Sequence, residues 1–233
     1  MMKLHLISLV SAVGMLAPAM AGEAGFTAIF NGKDLGGWKS NEETAGCFTV
    51  EDGALKVSGG RAHLFYTGED GKASFTDFEL KLKVKTMPKA NGGVYFHTEF
   101  EESGWPSKGF ECQVNASHKD PKKTGSLYGV VNVVVLAPGE KTPPGSLEDH
   151  VVAKAPNVDG EWFDYHIIVK GRAITVKVNG ATTVEWTQPD GFDPAKALKG
   201  MPGRQLGSGT FAIQGHDPES TTYYKDIQVK RLD

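Results

Sequence analysis

Cysteine is scarce in this chain. Cys47 and Cys112 are the two among its 233 residues. An oxidising compartment would let them pair, but sequence alone does not bring them within bonding distance. Cys112 sits at strand spacing between polar neighbours, so it is read as core-facing. Two separate buried thiols is the favoured reading. Excess charge of one sign is also lacking: the net charge of −3 is spread along the chain. That argues against nucleic acid, which asks for a basic face. Beyond the N-terminal run, no apolar stretch suggests a membrane span. No H-E-x-x-H zinc spacing occurs, and no G-x-S-x-G elbow, which argues against a serine hydrolase. A convincing helical period is missing too, apart from room for one short turn at Pro194–Leu198. There is no internal repeat.

The N-terminus reads as a targeting segment. Lys3 and His5 precede an apolar run from Leu6 to Leu16, and Ala19-Met20-Ala21 supplies the small residues a signal peptidase reads. The run is too short for a permanent span. The expectation is a signal peptide over residues 1–21, no lipid anchor, and a mature chain from Gly22. Residues 22–233 then form one domain of about 210 residues, within the range of a single β-sandwich. The implied location is periplasmic or secreted.

The dominant signal in that domain is period two. Phe78, Leu80, Leu82 and Val84 alternate with Glu79, Lys81, Lys83 and Lys85. The same pattern recurs at Val94–Glu99, Phe110–Asn115, Phe163–Lys170, Ile174–Asn179 and Phe211–His216, and Ile227 and Val229 close the chain. Asn31-Gly32, Asp52-Gly53, Asn91-Gly92 and Asn179-Gly180 read as hairpin turns. The fold class is therefore all-β: two antiparallel sheets packed as a sandwich. Two long Pro- and Gly-rich segments, Ala137–Gly160 and Thr187–Gly209, read as loops that wall a site.

Three strands carry hydrogen-bonding side chains where a merely solvated face would carry lysine. They are Tyr95-x-His97-x-Glu99, Glu111-x-Gln113-x-Asn115 and Gln214-x-His216. Such groups suit sugar hydroxyls, and they suggest a concave polar face opposite a charged convex one. Glu111 is the leading acid–base candidate, because its flanks Phe110 and Cys112 suggest apolar walls that raise a carboxyl pKa. A structural pairing with lysine is the alternative. His97 and His216 follow, since histidine titrates near working pH, with a structural histidine as the alternative for each. Of the four tryptophans, Trp105 in a Gly-Pro-Ser loop is the candidate stacking platform. Trp162 reads as core, and His118 as solvated.

These residues carry a resemblance to a known family. Phe30-Asn31-Gly32-Lys33-Asp34-Leu35-Gly36-Gly37-Trp38 resembles the opening signature of the 3-keto-disaccharide hydrolases. Asn91-Gly92-Gly93-Val94-Tyr95-Phe96-His97, Gly109–Val114, Gly125-Ser126-Leu127-Tyr128-Gly129, Gly160-Glu161-Trp162, Asn179-Gly180 and Gly209–His216 follow in the family's order. His97 stands where arginine is common, Gly92 replaces serine, and Ala116 stands where aspartate is expected. The resemblance implies a concanavalin A-like jelly roll with a site on its concave face, acting on glycosides oxidised at C3. Glu111, His97 and His216 become the catalytic candidates. Tyr95, Gln113, Gln214, Tyr128 and Trp105 become the substrate-binding ones. No cofactor is required by any spacing, although a divalent metal would serve to stabilise an enolate. The expected partner is a small saccharide or glycoside, and the rival reading is a non-catalytic carbohydrate-binding, lectin-like module.

Overall fold

The structure is a computed structural model that describes residues 23–41 and 43–233. The expected signal segment lies outside the described residues. The first strands are β1 (Thr27–Ala28), β2 (Trp38–Ser40), β3 (Phe48–Glu51), β4 (Ala54–Ser58) and β5 (Ala62–Tyr66). Then come β6 (Phe78–Thr86), β7 (Gly92–Thr98), β8 (Phe110–Val114), β9 (Val131–Val134) and β10 (Glu148–Val151). The last are β11 (Phe163–Lys170), β12 (Ala173–Val178), β13 (Ala181–Thr187), β14 (Thr210–Gly215) and β15 (Thr221–Arg231). One helical turn, α1 (Pro194–Ala197), precedes β14 and is capped by the Asp193 carboxylate.

The strands form two antiparallel sheets. The larger runs β13-β12-β11-β6-β15-β4-β3, with β1 beside β15. The smaller runs β2-β5-β14-β7-β8. β9 and β10 form a parallel pair, linked to β8 through bridges at Leu127. Alternation decides what each face does. Phe78, Leu80, Leu82 and Val84 are buried, while the intervening Glu79 to Lys85 are half-exposed. Facing them from the smaller sheet are Val94, Phe96, Phe110, Cys112, Phe211 and Ile213 in one hydrophobic core. Phe78 touches Phe96 and Phe211 across the interface, at ring-centre distances of 5.7 and 5.0 Å. Each such side chain contributes about 1.5–3 kcal/mol on leaving water. The result is the all-β sandwich that the period-two pattern implied.

Two of the four turn dipeptides are hairpins. Asp52-Gly53 (φ 49° and 78°) joins β3 to β4, and Asn179-Gly180 (φ 50° and 79°) joins β12 to β13. Both positive φ values suit a two-residue turn matched to strand twist. Asn91-Gly92 is not a turn, because Gly92 opens β7. Asn31-Gly32 is a loop in which the Asn31 side chain accepts from the backbone N–H of Lys33 and Asp34. The segment 137–160, expected to be loop, contains β10. Trp162 is not core either: it is half-buried on the outer side, with the Lys85 and Lys225 ammonium groups 5.0 and 4.3 Å from its rings. Cys47 and Cys112 are both buried and free, and burial pushes the Cys47 thiol up to about 11.

Candidate active site

Register builds the site before any loop is considered. In the smaller sheet Ala212 pairs with Phe65 on one side and Tyr95 on the other, and Tyr95 pairs with Glu111. One step along, Gln214 pairs with His63 and Gly93, and Gly93 pairs with Gln113. Because side chains alternate between faces, these two rows point away from the core. Gly93 leaves a gap in the second row. The Glu111 carboxylate leans into it: a Cβ at position 93 would lie 2.7 Å from Glu111 Oε1.

Three donors converge on that carboxylate. Tyr95 Oη donates to Oε2 at 2.8 Å, Arg204 to Oε2 at 3.1 Å, and Gln214 Nε2 to Oε1 at 2.9 Å. Arg204 also donates to the Gly109 carbonyl at 3.2 Å. Glu111 and Arg204 are both buried, so each depends on the other: removing one partner of a buried pair costs about 3–5 kcal/mol. The apolar walls expected around Glu111 are therefore replaced by Tyr95, Gln214 and a guanidinium. A carboxylate offers about four lone-pair sites, so Oε1 keeps room for one more donor or for a proton. Burial, then the Glu111 charge, holds the Tyr95 phenol well above its usual range, so it stays a donor.

Above this floor is a cavity of about 570 Å³. Tyr95, Glu111, Gln113, Gln214, His216, Tyr128 and Trp105 all line it, and Asn91, Asp120 and Arg204 join them. His216 Nδ1 lies 2.9 Å from Asp217 Oδ2, which also accepts from Ser220 Oγ at 2.7 Å. With Asp217 engaging Nδ1, Nε2 is the nitrogen left to exchange a proton. Burial pulls the Asp217 carboxyl up, but its bonds from Ser220 and His216 outweigh that and leave it below the usual range. His118 is not solvated: its ring packs 5.7 Å from His216, and its Nδ1 accepts from the Asp120 N–H. Tyr128 rises to about 12, from burial and the Asp120 charge.

His97 is placed elsewhere. Thr98 pairs with Thr210 and Tyr95 with Ala212, so β7 fits two residues where β14 has one. This bulge breaks the alternation at His97, whose φ is +55°. The ring turns onto Phe78 and Phe96. Its Nε2 donates to the Thr76 carbonyl at 2.8 Å and its Nδ1 accepts from Gly207 N–H at 3.3 Å. His97 is thus a satisfied structural histidine, and its assignment as catalytic is corrected.

Sequence reasoning missed Arg204, Asn91, Asp120 and Asp217. Arg204 sits in an aperiodic loop 93 positions from its partner, so no local pattern could reveal it. Asp217 directly follows His216, and that adjacency was the available signal. Among the described residues, no three His, Cys, Asp or Glu side chains are grouped to hold a metal ion. Asp217 is engaged by His216 and Ser220.

Comparison with solved structures supports the architecture. A protein of Parabacteroides distasonis described as a "putative glycosyl hydrolase" aligns with a TM-score of 0.65 and 22% identity, covering 90% of this chain and 94% of its own. A second from the same organism, described in the same words, aligns at 0.61 and 23%, covering 89% and 99%. The carbohydrate-binding module CBM66 of Bacillus subtilis aligns at 0.50 and 11%, covering 83% and 95%. These likenesses establish the concanavalin A-like jelly roll. No match was found among the curated proteins. A family model describing the 3-keto-alpha-glucoside-1,2-lyase-like domain matches residues 25–230, and the chain belongs to that family.

Proposed function

We propose that this protein cleaves the glycosidic bond of glycosides oxidised at C3, by removing the C2 proton and eliminating the C1 substituent. The observation that carries this reading is one cavity holding Glu111, with its three donors, together with the Asp217-backed His216. A ketone at C3 acidifies the C2–H. Glu111, through Oε1, takes that proton, and the C–H electron pair becomes the C2–C3 double bond of an enolate. When the C3 carbonyl re-forms, that pair makes a C1–C2 double bond and the C1–O bond breaks. The departing oxygen takes a proton from His216. Addition of water at C1 then gives net hydrolysis. Arg204 and Tyr95 supply positive charge and an O–H beside Glu111, suited to the enolate oxygen. General acid–base steps of this kind are worth about 10²–10⁴ each.

Incubation with a 3-keto-glucoside in heavy water tests it. The expected result is aglycone release with loss or exchange of the C2 proton. Glu111→Gln keeps shape but not basicity, and is expected to lower turnover about 10²-fold or more while binding survives. Normal turnover by that variant places the base elsewhere. One observation favours the rival binding-module reading: Glu111 is already well hydrogen-bonded inside the protein, as in a rigid recognition site. Binding without cleavage by the wild type decides for it. We further propose export, from the N-terminal signal pattern. Sequencing of the exported protein is expected to read from Gly22, and a mature form retaining Lys3 rejects it.

A further inference from the structure

One outward-facing row of the smaller sheet runs His63, Gln214, Gly93, Gln113 from β5 to β8. Gln214 is the member of that row that holds Glu111. Its Nε2 donates to Glu111 Oε1 at 2.9 Å and to Tyr95 Oη at 3.1 Å. Glu111 accepts only, and the Tyr95 O–H is directed at Glu111 Oε2. Both therefore take the nitrogen end of the amide. Turned over, the amide would set its oxygen against the carboxylate and repel it.

Among the described residues, none donates to the oxygen end: Gln214 Oε1 is buried without a hydrogen-bond partner. Its cross-strand neighbours are Gly93, which has no side chain, and His63. His63 is 0% exposed, and both its ring nitrogens are without partners as well. Buried polar groups are nearly always satisfied, so two unpaired groups at one register position make a matched donor and acceptor. Burial keeps the ring neutral against the pull of the Glu43 charge, so it carries one N–H. The Tyr95 and Trp105 rings meet it edge-on at 5.6 and 5.5 Å, so aromatic surface walls it. Opposed side chains on antiparallel strands start from Cβ atoms about 4.5–5.5 Å apart, within reach of an imidazole N–H and a carboxamide oxygen.

We propose that His63 is a positioning residue for Glu111. A turn of the imidazole about its side-chain bonds brings its N–H onto Gln214 Oε1, and fixes the amide with its nitrogen on Glu111 Oε1. The inference rests on Glu111 being the base of the proposed reaction. His63 does not line the cavity and touches no reacting atom. It acts through Gln214, by holding the oxygen that takes the C2 proton. Misplacement of a reacting group by about 1 Å can cost about 10²-fold in rate.

Steady-state turnover of a 3-keto-glucoside by the full chain, measured across pH, tests this. His63→Phe keeps an aromatic ring in the space and removes the N–H. Its kcat is expected to fall about tenfold, with KM within about twofold of wild type. The acid limb of its kcat/KM profile is expected to move to higher pH, because Glu111 has lost a steady donor. His63→Gln restores an N–H and is expected to recover both. A fall in kcat with the limb unmoved, or no recovery by His63→Gln, makes His63 a packing residue and overturns the inference. So does wild-type behaviour of His63→Phe. Should His63→Phe fold poorly, ring-nitrogen NMR of the wild type decides. One fixed neutral tautomer is expected, and a proton averaged over both nitrogens overturns the inference. Each of these outcomes leaves the proposed function standing. Normal turnover by Glu111→Gln, or no cleavage by the wild type, overturns the proposed reaction at this base, and the role of His63 falls with it.

Discussion

At the scale of single residues, the site depends on an absence as much as on its charges. Glu111 reaches Gln214 because position 93 has no side chain. Gly93 lies in ordinary extended backbone, and the three atoms nearest a methyl group there all belong to the Glu111 side chain, with Oε1 at 2.7 Å and Cγ at 3.0 Å. Gly93→Ala is therefore expected to keep the fold and push the carboxylate off Gln214. Turnover of a 3-keto-glucoside should fall about tenfold or more, with a thermal midpoint within a few degrees of wild type. A Gly93→Ala protein with wild-type kinetics would show that the exact seat of Glu111 is unimportant. Glu111 itself was legible from Phe110-Glu111-Cys112, because alternation assigns its face. Its environment was not, because Arg204 arrives from a loop with no period.

At the scale of elements, alternation holds until pairing overrides it. β6, β8, β11 and β12 follow their sequence pattern residue by residue, since the irregularities in the pairing of β6 and β12 place the extra residue in the partner strands β15 and β13. β7 follows it only to Phe96. The bulge against β14 is fixed by which residues of two distant strands meet, and nothing within Val94–Glu99 announces it. The short strands β2, β5, β9 and β10 were unread for a related reason. β5 and β9 are buried on both faces, giving continuous burial instead of alternation. The bulge yields its own test. His97→Ala removes two hydrogen bonds and leaves a void against Phe78, which together cost about 2–4 kcal/mol. Denaturant unfolding should record that loss, while the pH dependence of turnover per folded molecule stays as in wild type. A displaced pH profile would return His97 to the catalytic set.

At the scale of the whole molecule, burying histidines couples the fold to pH. Burial holds the His63 ring at about 4, and also lowers His97, His118 and His166 from their ordinary value. The charged and titrating groups around His63 are Glu43, which favours the protonated ring, and Arg61 and His216, which oppose it. Burial outweighs all three. The folded protein therefore binds fewer protons than the unfolded chain once pH drops below about 6.5. Stability contributed by the neutral ring is complete above that value and is lost progressively down to about 4. A displacement from 6.5 to about 4 corresponds to about 3 kcal/mol for His63 at the acid limit. Below this window, protonation of Asp217 and Glu43, both held under their usual values, adds a further loss in the same direction. Scanning calorimetry from pH 8 to pH 4 is expected to show a midpoint that is level down to about 7 and then falls. His63→Phe cannot take up the proton, so its midpoint should fall less over the same range and exceed wild type at pH 5. Parallel curves for the two proteins would mean that His63 opens to water and titrates freely in the folded state.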